Sequence, residues 1–206
     1  MKKTLFVIIL AMASLFTLQA QDIQLPEPQR DGGLPLMEAL QQRSTQREFS
    51  NKALELQELS NLLWAANGVN RPDGKRTAPS ARNCQEIDIY VYTEKAVYLY
   101  LAEQNKLQLV AEGDHRSDAA VQPFAAKCPI ILMFVANYDK MKGMDKDAQE
   151  FYGATDAGYV SQNVYLYCAS AKLNTVVLGS IYRDKIKDLL KFNGKAILGQ
   201  PVGYAK

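Results

Sequence analysis

Apolar positions in this chain fall into three kinds of run, and each predicts a different element. The first run, residues 5–18, is almost wholly apolar, interrupted only by Ser14 and Thr17. It is shorter than the roughly 20 residues needed to cross a bilayer. It follows Met1-Lys2-Lys3 and ends in Leu18-Gln19-Ala20, ahead of polar Gln21-Asp22. A basic start, an apolar centre and a small last residue predict a cleaved signal peptide over residues 1–20. A retained anchor is the alternative. Either one places the working domain outside the cytoplasm, in the periplasm, and cleavage leaves no stable membrane insertion. No cysteine follows the run, so lipid attachment there is not expected.

The second kind of run has helical spacing. Residues 21–35 carry Pro26, Pro28, Gly32, Gly33 and Pro35 and read as an irregular arm. Residues 36–42 form a short helix. Leu56, Leu59, Leu62, Leu63 and Ala66 give a second, stopped by Asn67-Gly68. A helical stretch is expected over 119–126. Residues 145–172 read as one long helix or two in succession, with small residues (Ala157, Gly158, Ser161, Ala169, Ser170, Ala171) that let another backbone approach. Residues 183–191 form a short amphipathic helix closed by Asn193-Gly194.

The third kind belongs to strands. Ile87, Ile89 and Val91 alternate with Asp88, Tyr90 and Tyr92. Residues 96–101 and 107–110 form two more strands around a turn near Gln104-Asn105. Residues 129–136 are continuously apolar and predict a buried central strand. Residues 175–178 and 196–202 complete the set, and 71–83 is a loop turning at Pro72-Asp73-Gly74. Hairpin strands mixed with helices make the class α+β, with a single domain over 36–206.

Charge narrows the function. Lys and Arg total 24, Asp and Glu 22. Without Lys2 and Lys3, and with no acid in residues 1–20, the balance is 22 against 22. That argues against an electrostatic nucleic-acid binder. The single histidine, His115, disfavours a multi-histidine metal site. It reads as a surface or capping residue, and no metal site is expected. Cys84, Cys128 and Cys168 show no C-x-x-C spacing and are not a disulfide framework. Cys128 and Cys168 read as core, and Cys84 as a small buried hydrophobe near a loop of interest.

Four short segments carry candidate chemistry. Arg43-Ser44-Thr45-Gln46-Arg47-Glu48-Phe49 sets two arginines four apart around two hydroxyls, which suits a phosphate-bearing ligand. A solvated basic turn is the alternative. Pro79-Ser80-Ala81-Arg82-Asn83-Cys84-Gln85 gathers polar side chains in a loop before a strand. Val176-Val177-Leu178-Gly179-Ser180 runs a buried strand into bare backbone N–H groups, where glycine permits close approach to a flat ring. The last is the end segment from Gly199 to Lys206. Taken one at a time, the last three read equally well as ordinary turn, strand-to-loop and terminal-strand chemistry.

Together, in this order, they resemble the nitroreductase family of flavoproteins, in particular its exported branch related to azoline-peptide dehydrogenases. Arg43 to Phe49 is similar to an R-x-[ST]-x-[RK]-x-F start, and Pro79-Ser80-x-x-Asn83-x-Gln85 to a P-S-x-x-N-x-Q loop. Asp156-Ala157-Gly158 through Gln162-Asn163-Val164-Tyr165-Leu166 resembles the helix D-x-G-x-x-x-Q-N-[VL]-x-L. Leu173-Asn174-Thr175 to Gly179-Ser180 resembles G-L-x-[TA]-x-x-x-G, with Lys172 in place of the first glycine. The resemblance implies a nitroreductase-like α+β fold, with a central mixed, mostly antiparallel sheet flanked by helices. It also implies a homodimer with FMN at the subunit interface, and ping-pong electron transfer through flavin N5 between a small-molecule donor and an acceptor such as a nitroaromatic or quinone. By position, Arg43 and Thr45 hold the phosphate and ribityl chain, and Ser44 contributes a contact, if only through its backbone. Arg47 lies near flavin N1 and O2, stabilising the negative charge of the reduced ring. Pro79, Ser80 and Asn83 come from the partner subunit, and Gly179 and Ser180 give backbone contacts near N5. Lys206 is the one basic residue past the last strand that can reach for the phosphate. Ala81 stands where a second serine is common. No side chain is assigned a proton-transfer role.

Relatives use NADH or NADPH, which are mainly cytoplasmic, and no G-x-G-x-x-G fingerprint is present here. An envelope quinol or small dithiol is therefore the expected donor. A non-catalytic FMN-binding protein and a flavin-free binding protein that keeps the fold are the alternatives. Tyr98, Tyr100, Tyr165 and Tyr167 read as packing, Phe151-Tyr152 and Trp64 as core, with lining of the ring pocket as the alternative, and residues 140–146 as a solvated face.

Overall fold

A computed structural model of the protein describes residues 20–206; the signal-peptide expectation over 1–20 lies outside these but for Ala20. Seven strands form one sheet: β1 (Ile23–Gln24), β2 (Ile87–Tyr92), β3 (Ala96–Leu101), β4 (Lys106–Glu112), β5 (Ile130–Asn137), β6 (Leu173–Thr175) and β7 (Gly194–Tyr204). Their spatial order is β1-β4-β3-β2-β5-β7-β6, and every neighbouring pair is antiparallel. The helices are α1 (Leu36–Gln42), α2 (Leu56–Asn67), α3 (Arg116–Ala119), α4 (Lys146–Ala171) and α5 (Arg183–Leu190).

The sheet is covered on both faces, which is why β5 reads as an unbroken apolar run. Its Ile130, Leu132, Phe134 and Ala136 join Leu62 and Leu63 of α2 and Val160 and Val164 of α4 on one side. Its Ile131, Met133 and Val135 join Ile181, Ile186 of α5 and Ala119 of α3 on the other. The same two-sided burial explains β2. Tyr90 and Tyr92, which alternate with Ile89 and Val91, are buried in the α5-side core.

α4 is one continuous helix. Asp145 caps it, its side chain accepting from Ala148 N at 2.8 Å. It crosses β5 closely enough that a Cβ on Gly153 would stand 2.7 Å from Ala136 Cβ. It ends at Lys172, which takes the left-handed conformation (φ 56°, ψ 38°). Glycine adopts that conformation without the Cβ clash, so the lysine departs from the family pattern at the position where glycine fits best. Lys172→Gly is expected to stabilise the fold by about 0.5–1 kcal/mol, read as a higher urea midpoint at unchanged slope. A lower midpoint would count against this reading of the cap.

Three elements differ from expectation. The arm over 21–35 is not wholly irregular: Ile23 and Gln24 pair with Leu107 and Lys106, and Leu25 is buried. The helix expected over 119–126 stops at Ala119 and resumes only as a single tight turn, Ala125–Lys127. Pro123 lacks an N–H and biases Gln122 toward extended backbone, so a continuous helix cannot pass. The strand expected at 175–178 ends at Thr175, and Leu178 rejoins the sheet through a two-bond bridge to Gly199 (2.7 and 2.9 Å).

Candidate functional site

The detour between Thr175 and Leu178 builds the candidate site. Val177 N–H, released from the sheet, donates to the Tyr165 hydroxyl at 3.0 Å. That hydroxyl also lies 3.1 Å from Thr45 Oγ1. A buried tyrosine on α4 thus ties the segment after α1 to the loop that leads into Gly179-Ser180. Its ring has a second use, because the Arg43 guanidinium stands over it at 5.3 Å. Tyr165 was expected to be packing alone. Its spacing on the helix signals burial, but the two polar partners come from distant parts of the chain.

Segment 43–50 is extended along the edge strand β6. Gln46 N donates to Thr175 O (3.0 Å), Asn174 Nδ2 to Glu48 O (2.7 Å) and Ser50 N to Tyr204 O (3.0 Å). These bonds fix the backbone and leave the side chains outward. Ser44, Thr45 and Arg47 are exposed and Arg43 is half-buried. Neither arginine has a carboxylate or hydrogen-bond partner among the described residues, whereas Arg76, Arg116 and Arg183 do. Two unpaired guanidiniums four residues apart are suited to an anion. Lys172 lies on a crevice of about 240 Å³ that Ser44, Gln46, Tyr165 and Thr175 also line, and Arg43, Thr45 and Arg47 are not among its lining residues.

Gly179 and Ser180 are exposed, and a Cβ at Gly179 would meet nothing within 4 Å. Among the described residues their N–H groups have no acceptor. Arg183 holds this turn from behind, its Nε donating to Ala196 O (3.1 Å) and its Nη2 to Gly179 O and Ile197 O (3.2 Å each). The sequence marked Arg183 only as a helix start.

The loop 79–85 is a separate cluster. Asn83 N donates to Ser80 O and Cys84 N to Ala81 O, both at 3.0 Å. Gln85 N donates to Ser80 Oγ (2.9 Å), and Arg82, Asn83 and Gln85 all have positive φ (52°, 55° and 50°). The Gln85 side chain is consumed internally, accepting from Arg76 Nε (2.9 Å) and donating to Gly74 O (3.1 Å). Pro79 and Asn83 project outward. The loop is anchored to α4 by Ala81 N donating to Asp156 Oδ2 at 2.8 Å.

The two clusters do not meet within one protomer. Asp156 and Tyr165, their respective anchors on α4, are nine residues apart, about 14 Å of helix rise. The crevice beside Lys172 is also below the roughly 300–1,000 Å³ of ordinary small-molecule pockets. Lys206 lies two residues past Tyr204, exposed and without a polar contact among the described residues, so nothing joins it to Arg43. Phe151 and Tyr152, expected in the core, are 65% and 38% exposed on the outer face of α4. With exposed Gly158, Tyr159 and Gln162 they form a face that no described residue covers, flanked by exposed Leu36, Met37 and Leu40 of α1. His115 occupies the N-cap position of α3, and Cys128 and Cys168 are buried as expected.

Comparison with known proteins gives a consistent answer. The profile of the nitroreductase family matches residues 40–204. A protein of Methanocaldococcus jannaschii, provisionally named a nitroreductase, is 33% identical over 192 residues, 88% of this chain and 96% of the relative. A crystal structure from Ralstonia eutropha JMP134, also provisionally named a nitroreductase, superposes with a TM-score of 0.86 at 41% identity, over 91% of this chain and 90% of that one. A chain of the E. coli microcin synthetase McbBCD complex shares the fold alone, with a TM-score of 0.67 at 16% identity, over 98% of this chain and 85% of that one.

Proposed function

This chain belongs to the nitroreductase family of oxidoreductases, and from that premise we propose that it is an FMN-dependent enzyme working as a homodimer in the periplasm. The observation that carries the reading is the pair of guanidiniums, Arg43 and Arg47, four positions apart on one extended segment and without an acidic partner among the described residues. The residues fit the cofactor. Arg43, Ser44 and Thr45 form a donor set for a dianionic phosphate and a hydroxylated chain. The bare N–H groups of Gly179 and Ser180 suit the polar edge of a flat ring. Arg47 places a fixed positive charge where negative charge on that ring is stabilised.

Bound FMN supplies the electron transfer, and the protein binds, orients and tunes it. The face formed by α1 and the outer side of α4 is apolar and studded with Gly158, so it suits a second copy of the chain. A two-fold axis there brings the 79–85 loop of one protomer toward the 43–47 segment of the other, with Pro79, Ser80 and Asn83 completing the pocket. Donor and acceptor then use the same open face in turn, a ping-pong cycle. Export favours an envelope quinol or a small dithiol over a nicotinamide nucleotide as donor.

Purified protein is expected to be yellow with one flavin per subunit, and its chemically reduced form to be reoxidised by nitroaromatics or quinones faster than free FMN. A colourless protein that takes up no FMN overturns the reading. A flavoprotein that reacts no faster than the free cofactor reduces it to FMN binding without catalysis.

A further inference from the structure

Glu86 stands between the 79–85 loop and β2, and it is fully buried. Both of its carboxylate oxygens lack a hydrogen-bond donor among the described residues. The group its carboxyl faces is another carboxyl, that of Asp156, itself 3% exposed. Two carboxylates in a dry site present only acceptors to each other, so a single proton between them is what satisfies the contact. Asp156 also receives the Ala81 N–H that anchors the loop. The proton therefore sits one atom group away from the only side-chain tether found between this loop and α4 among the described residues.

We propose that Glu86 and Asp156 share one proton beneath the 79–85 loop, and that this proton sets the loop, making the two acids its positioning pair. Its consequence for flavin rests on the homodimeric FMN reading above, because there the loop serves the neighbouring protomer. The other charges around Glu86 do not neutralise the pair. Lys140 lowers its proton affinity but is engaged by Asp88 at 2.5 Å and reaches Gln85 O at 3.4 Å. Arg82 of the loop is exposed, and Cys84 is a thiol that burial keeps protonated. On balance burial, followed by the nearby Asp156, raises Glu86 from the usual 4.5 to about 7. A raised acid binds its proton more tightly in the folded than in the unfolded chain. Its support for the fold is therefore present at low pH and lost as pH rises from 4.5 through about 7. Above that range two charges face each other under the loop, and Ala81 loses a settled acceptor.

The test follows the Ala81 amide by NMR in flavin-free protein, in parallel with FMN affinity, between about pH 5.5 and 8.5. The wild type is expected to show one titration step at Ala81 near neutrality, and FMN binding about tenfold weaker at the alkaline end. Glu86→Gln keeps a donor toward Asp156 and removes the titrating proton, so both profiles flatten at the low-pH value. Glu86→Ala removes the titrating group and the facing charge and leaves the Ala81 N–H as donor to Asp156, so its Ala81 amide also loses the titration step. An Ala81 amide that does not titrate, or one that titrates unchanged in Glu86→Gln, overturns the proposal. An Ala81 step in a protein that binds no FMN at any pH supports the proton pair and overturns the flavin reading.

Discussion

Replacing Arg43 by alanine is expected to strip most of the flavin from the purified protein while leaving it folded. The guanidinium has no acidic partner to abandon among the described residues, so its removal orphans nothing in the fold. It stacks over Tyr165 at 5.3 Å, worth about 0.5–1 kcal/mol at a half-exposed position. The cost falls on the ligand. A hydrogen bond to a charged group contributes about 1.5–3 kcal/mol, which corresponds to roughly 10- to 150-fold in Kd. Arg43→Lys retains the charge and loses the fork and the stack, so its affinity should lie between the two. Fluorescence titration of FMN into flavin-free protein measures all three, with urea unfolding as the control. Equal affinity in wild type and Arg43→Ala removes Arg43 from the phosphate site and takes the central observation of the functional reading with it.

What could be read from the sequence divides along a physical line. The long elements announced themselves, because β5 is an unbroken apolar run, α2 carries a helical apolar period, and α4 is a long stretch free of Pro. α1 and α5 were also placed within a residue of their observed ends. Errors collected where a local rule was outvoted. The 119–126 helix is broken at Pro123, whose missing N–H and extended bias on Gln122 outweigh the helix propensity of the flanking alanines. In β2, a tyrosine buried by a second layer cannot be told from an exposed one by alternation alone. The site splits in the same way. Arg43, Thr45, Gly179 and Ser180 are legible as short motifs. The contacts of Tyr165 to Thr45 and Val177, and of Arg183 to Gly179, Ala196 and Ile197, join distant parts of the chain that no spacing encodes. Glu86 left no signal at all. A lone glutamate before a strand reads as solvent-facing, and only the fold reveals that it is sealed against Asp156. Phe151 and Tyr152 are the reverse case: apolar residues expected inside are exposed, on the face proposed above for a second copy of the chain.

That second copy leads to the prediction with the sharpest consequence, which uses hybrid dimers. Arg43→Ala damages the segment that would grip the phosphate. Asn83→Trp places bulk on the exposed tip of the 79–85 loop, at a position whose positive φ (55°) costs tryptophan about 1–2 kcal/mol and leaves the core untouched. Each variant alone, as a homodimer, is expected to bind FMN poorly at both sites. In an isologous dimer built from one chain of each, the two lesions can be arranged in only two ways. If the loop serves the neighbouring protomer, one site collects both lesions and the other collects neither, so the hybrid regains one sound site per dimer. If the loop and Arg43 serve the same protomer, each site carries one lesion and nothing is regained. The 14 Å that separates the two anchors along α4 favours the first arrangement. Co-expression with two different tags, sequential affinity purification and flavin absorbance are expected to give about one FMN per two chains for the hybrid, against little for either parent. The same count should govern turnover, because a site lacking neither part has no reason to work more slowly than in the wild type. A hybrid as colourless as its parents would place the loop and the arginines on one protomer's own site, and the interface would then be an accessory to binding, with no share in the pocket itself.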